Sequence, residues 1–123
     1  MSHDAISIAR KAYQAYVDKN RPAIEALIGD PFAFTSPLDN QLDRATYFER
    51  CWPNGRTLSE FKIRNLVHNG DRAFVTYGCS STSGKRFRNT EILKIAGGKI
   101  VEVEVYFGWP LPHEAPKGGS VNP

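Results

Sequence analysis

Hydrophobic and polar residues alternate most regularly over residues 85–109, KRFRNTEILKIAGGKIVEVEVYFGW, two strand-like stretches separated by Gly97-Gly98. Side chains in a strand alternate with period two. Val101, Val103, Val105, Phe107 and Trp109 therefore share one face, and Glu102, Glu104 and Tyr106 the other. On the preceding stretch the row that holds Phe87, Leu93 and Ile95 also holds Asn89 and Glu91. Pairing apolar face with apolar face carries one carboxylate indoors, where an isolated charge is costly. With two earlier alternating stretches, four strands are predicted at roughly 57–68, 72–82, 86–96 and 99–109. Asn69-Gly70, Ser83-Gly84 and Gly97-Gly98 supply the hairpin turns. The inward placement of Glu91 depends on the valine row, and a bulge between residues 86 and 94 would turn Glu91 outward and Arg88 inward.

The first half of the chain has the other period. Asp4 can cap a helix running to Asp18, with Ala5, Ile8, Ala9, Ala12, Tyr13, Tyr16 and Val17 on one stripe at three- and four-residue spacing. Asn20 and Pro22 restart a second helix through Ile28, ended by Gly29, Asp30 and Pro31. Phe32 to Ser36 reads as a short strand and Pro37 to Gln41 as a loop. Asp43 caps a third helix, Arg44 to Cys51, stopped by Trp52, Pro53, Asn54 and Gly55. Helices followed by antiparallel hairpins make an α+β pattern, with helices on one face of a curled sheet.

At 123 residues and 41% hydrophobic, the chain suits one domain with a core that needs no staples. No apolar run approaches the roughly 20 residues of a membrane helix, and the start MSHDAISIAR lacks a signal peptide's apolar stretch, so a cytoplasmic protein without a membrane partner is expected. Cys51 and Cys79 are expected as unpaired thiols, and His3, His68 and His113 have no ligand spacing, so no metal site is assigned. The net charge of +3 comes from 16 basic residues spread among 13 acidic ones. Lys85, Arg86 and Arg88 are better read as a solvated strand end than as a phosphate-binding patch, and no nucleic acid partner is expected.

The element order, the length, Tyr13 in the first helix, the short strand ending at Ser36-Pro37 and the closing GGKIVEVEVYFGW resemble the nuclear-transport-factor-two-like superfamily. Within it they are similar to the SnoaL-like polyketide cyclases and the ketosteroid isomerases. The resemblance covers residues 4–110. It implies a cone-shaped, curled, mixed or antiparallel sheet with three N-terminal helices packed on its concave face, a cystatin-like or SnoaL-like fold over residues 1–112. Residues 113–123, rich in proline, glycine and small polar residues, are expected to form a flexible tail. The resemblance also implies chemistry without a cofactor and a homodimer formed through the outer sheet face, where Ile92 and Tyr106 supply apolar area.

Carried over position by position, Tyr13 falls where isomerases place an oxyanion-hole tyrosine and Glu91 where they place a protonated acid. The isomerase base does not survive, because the residue before Pro37 is Ser36. Asp39 would serve as a base if its loop folds inward; a solvated loop aspartate is the plainer reading. Glu91, Tyr13 and Asp39 are thus the candidate catalytic residues. Burial should raise the pKa of Glu91, making it a proton donor to an oxyanion or a base near neutral pH; alternatively it only orders the pocket. In such a fold Phe34, Ser36, Tyr47, Phe48, Trp52, Asn89 and Trp109 converge as ligand-binding residues around an apolar cavity suited to a small, flat, hydrophobic molecule. Arg44 and Arg50 flank the third helix and would meet an anionic ligand only if not simply solvated. Two functions follow: a cofactor-independent isomerase or cyclase acting by proton transfer on a hydrophobic carbonyl compound, or a non-catalytic module for ligand binding or dimeric interaction.

Overall fold

The chain, seen in a computed structural model, is described over residues 4–52 and 58–122. Asp4 accepts a hydrogen bond from Ser7 N at 2.7 Å and so caps α1 (Ala5–Val17). Ala5, Ile8, Ala9, Ala12 and Tyr13 form its buried stripe. Val17, expected on that stripe, is exposed at the helix end. There Lys19 turns left-handed at φ 54°, with Lys19 N bonded to Tyr16 O and Asn20 N to Ala15 O, a Schellman closure. Asn20 then caps α2 (Arg21–Leu27) by accepting from Ala23 N, with Pro22 in the first turn.

Gly29, Asp30 and Pro31 do not end α2 in a loop as expected. They lie inside β1 (Ile28–Ser36), which starts directly after the helix. The cause is tertiary. Ile28 pairs with Ile100 near the chain's other end, and a Cβ on Gly29 would stand 3.1 Å from Val101 Cγ1, so glycine permits the close approach. The predicted loop at 37–41 is also partly strand: Asp39–Leu42 forms β2, with Ser36 opposite Asp39 and Phe34 opposite Leu42. Asp43 caps α3 (Arg44–Arg50) by accepting from Thr46 N at 2.9 Å. The helix stop at Pro53, Asn54 and Gly55 lies outside the described residues. Then come β3 (Leu58–Asn69), β4 (Arg72–Ser81), β5 (Arg86–Ala96) and β6 (Lys99–Pro110). Each begins and ends within a residue of where the alternation places it. Gly70, Gly84 and Gly97 all take positive φ in the connecting turns.

The six strands form one open mixed sheet in the order β2-β1-β6-β5-β4-β3, in which β1 and β6 run parallel and the other neighbours antiparallel. α1 lies on β3, β4 and β5, α2 on β1 and β6, and α3 on β1. No described helix is long and apolar enough to cross a membrane.

Two bulges in β6 decide which side chains face the helices. Lys94 pairs with Glu102 and Ile95 with Ile100, leaving Val101 as an extra residue. Ile100 is therefore buried, and Val101, expected in the inward row, is displaced toward Gly29. Nearer the C-terminus Asn89 pairs with Phe107 and Phe87 with Pro110, so Gly108 and Trp109 together oppose Arg88. Both insertions fall on β6. The alternation of β5 runs unbroken, and Glu91 stays on the inner face with Val75 on one side and Val105 on the other.

Candidate functional site

Between the helices and the inner face of the sheet lies a cavity of about 610 Å³, within the usual size of small-molecule sites. Glu91 projects into it from the middle of β5. Tyr13 Oη on α1 donates to Glu91 Oε1 at 2.9 Å, and Tyr77 Oη on β4 donates to Oε2 at 2.6 Å. Asn89 Nδ2 donates to Tyr77 Oη at 3.3 Å, and Gly108 N donates to Asn89 Oδ1 at 3.3 Å. The chain of donors thus starts at the bulge, whose N–H has left the strand ladder, and ends at the carboxyl. Removal from water pushes the Glu91 pKa above the usual carboxylate range, against the lowering effect of the Tyr77 and Tyr13 hydroxyls. Burial first, and then the nearby Glu91 charge, pushes both tyrosines well above an ordinary phenol, so they remain protonated donors at working pH.

The structure brings most of the sequence-predicted residues to this cavity. Tyr13, Phe34, Ser36, Asp39, Tyr47, Asn89, Glu91 and Trp109 all line it. Asp39 is turned to the lining because it sits on β2 rather than in a free loop. Ser36 Oγ donates to Asp39 Oδ2 at 2.8 Å and accepts from Leu38 N at 3.0 Å. Phe48 and Trp52, expected at the ligand, are not among the lining residues. Phe48 packs between Tyr47 and Trp52 and carries the guanidinium groups of Arg21 and Arg44 over its ring, each at 5.1 Å, while Trp52 packs on Tyr16. Adjacent residues on a helix point in different directions, so Tyr47 takes the cavity side and Phe48 the side toward α2. Arg44 donates to Glu25 O on α2 at 2.9 Å, and neither Arg44 nor Arg50 lines the cavity.

Sequence reading missed Tyr77, Phe61, Tyr16 and the two thiols as cavity residues. The signal for Tyr77 was available: Ala73, Val75, Tyr77 and Cys79 form one alternating row, and all four are buried. Phe61 stacks on Tyr77 with ring centroids 4.4 Å apart and lies 4.9 Å from Tyr13. Cys51 and Cys79 are unpaired, and burial pushes both thiols up to about 11, which keeps them protonated.

A carboxyl of raised pKa held by two phenols in an apolar cavity has the chemistry to exchange a proton with a bound molecule. The fold around it is of the cystatin-like, nuclear-transport-factor-two-like α+β class. Residues 9–103 match the SnoaL-like domain, and the chain belongs to that family. Among solved structures it is similar to a candidate ketosteroid isomerase from Kribbella flavida, at 15% identity over 96% of this chain and 87% of that one, with a TM-score of 0.73. It is also similar to a candidate polyketide cyclase from Sinorhizobium meliloti, at 18% identity over 85% and 98% of the two chains and a TM-score of 0.71. A third is an epoxide hydrolase of the LEH-like type from M. tuberculosis, at 16% identity over 85% and 82%, with a TM-score of 0.68. At these identities the likeness is one of fold. No curated protein matches the chain.

Proposed function

We propose that the protein binds a small hydrophobic carbonyl compound in this cavity and transfers a proton on it without a cofactor, as an isomerase or cyclase does. The observation that supports this most is the Glu91 carboxyl, held between Tyr13 and Tyr77 on an apolar wall. Ionised Glu91 takes a proton from the carbon next to the carbonyl. The C–H bond breaks, an O–H bond forms on Glu91, and the electron pair moves to the carbonyl oxygen. A tyrosine hydroxyl freed from the now neutral carboxyl donates to that oxygen, and Glu91 returns the proton to complete the rearrangement. The hydrogen-bonded pair of Ser36 and Asp39 supplies a second acid–base group on the cavity wall. Neighbours described as isomerase and cyclase candidates agree with this reading.

Solvent deuterium exchange at the α-carbon of bicyclic aryl ketones, followed by NMR, tests it. Glu91→Gln should slow the exchange by about 10²–10⁴, the usual worth of a positioned base. Exchange that is equally fast in the variant would remove Glu91 as the base.

A second reading, a binding module without chemistry, is favoured by one observation: Ser36 stands before Pro37 where isomerases carry an aspartate. Ligand retention unaffected by Glu91→Gln, with no exchange in either protein, would support it. On either reading we propose a homodimer through the outer sheet face, where Phe74, Ile92 and Tyr106 lie among charged residues, opposite the face on which the described helices pack. A cytoplasmic setting agrees with the two free thiols.

A further inference from the structure

We propose that the ligand this cavity takes carries a positive charge, an organic ammonium or iminium group seated against Glu91 and the faces of Tyr13, Phe61 and Tyr77. This deepens the reading above and rests on its claim that the cavity holds a small, largely apolar molecule. The ground is a missing partner. A carboxylate set among hydrocarbon is ordinarily matched by a cation or a metal, or else holds its proton. Glu91 stands between Val75 and Val105, and two phenol hydroxyls donate to it. The ion pairs of the described residues, Arg21 with Glu25 and Lys62 with Glu60, lie elsewhere. Among the described residues that line the cavity the ionisable carboxyls are Glu91 and Asp39, and none is Lys, Arg or His. Asp39 is answered by the neutral Ser36 hydroxyl. The described lining therefore holds two acids and no base to answer them.

The rings beside Glu91 act in the same direction. Phe61, Tyr77 and Tyr13 form one group, with centroids 4.4, 4.9 and 5.7 Å apart. Ring faces are negative and attract a cation within about 6 Å of the centroid, most strongly where water is excluded. Phe61 and Tyr77 stack on each other, so a cation beside the Glu91 carboxylate would meet the ring faces that this contact leaves open to the cavity, and about 610 Å³ leaves room for an apolar body behind the charge. A bound cation would also hold Glu91 in its charged form, the form a base requires.

Calorimetric titration of the full-length protein with phenyltrimethylammonium and with tert-butylbenzene tests this, because the two share one shape and differ in charge. The cation should bind the wild type about tenfold more tightly or better. In Glu91→Gln the ratio should fall severalfold through loss of cation affinity, with the neutral compound unchanged. Neutral binding as tight as cation binding in the wild type overturns the inference and leaves the apolar cavity standing. Failure of both compounds to bind removes the cavity reading with it. If Glu91→Gln does not fold, the wild-type ratio decides alone.

Discussion

Glu91 sits in the inner row with its charge opposed by burial and supported by two hydroxyls, and burial wins: its pKa is raised. A carboxyl that holds its proton more tightly folded than unfolded contributes its full stability below the unfolded value, about 4.3. That contribution is lost as pH rises through the higher folded value. As pH rises above about 4 the unfolding free energy of the wild type should therefore fall relative to Glu91→Gln, as parallel urea titrations would read. Equal slopes would mean that the carboxyl is as well solvated as in the unfolded chain. Tyr77→Phe keeps the ring stacked on Phe61 but removes the hydrogen bond to Glu91 Oε2. It should cost about 1–3 kcal/mol and raise the Glu91 pKa further, moving the acid limb of the ketone-exchange profile to higher pH. A limb that stays in place would make Tyr77 a packing residue alone.

At the scale of elements, β6 carries the most consequence per residue. A Cβ on Gly108 would stand 2.1 Å from Arg88 O, closer than any real contact allows, so β5 and β6 must part for any other residue. Gly108→Ala should lower stability by about 2 kcal/mol or more and the melting temperature by roughly 5 °C or more. It should also weaken the Gly108 N to Asn89 link that leads to Tyr77 and Glu91. A calorimetric scan unchanged from wild type would show that the bulge relaxes without cost. This element also marks the limit of local reading. The strand was legible from its alternation, yet Val101 left the expected row because one inserted residue reverses the facing of everything beyond it. Gly29 looked like a helix terminator because glycine has that use locally, while its actual use is close approach to a strand some seventy residues away.

For the molecule as a whole, the described helices pack on one face of the sheet. On the outer face Lys94 pairs across the strands with Glu102, and Ile92 with Glu104, near the half-exposed Tyr106. Such a surface mixes charge with apolar area. Native mass spectrometry at micromolar concentration should read twice the 13.8 kDa chain mass; a single chain mass removes the dimer.

Periodicity, capping and turn glycines act over a few residues, and these the chain alone determined: three helices, then strands in hairpins, with Asp4 and Asp43 as caps. The inner row of β5 carrying Glu91 was legible for the same reason, since alternation along one strand needs no knowledge of its neighbours. The site needed more. Tyr13, Phe61, Tyr77 and Glu91 come from α1, β3, β4 and β5, and their meeting depends on strand register and on where α1 crosses the sheet. The turning of Asp39 to the cavity needed β2 to pair with β1, and the removal of Phe48 and Trp52 from it needed α2 to pack beside α3. Those are outcomes of packing among distant segments, which no local pattern of residues encodes.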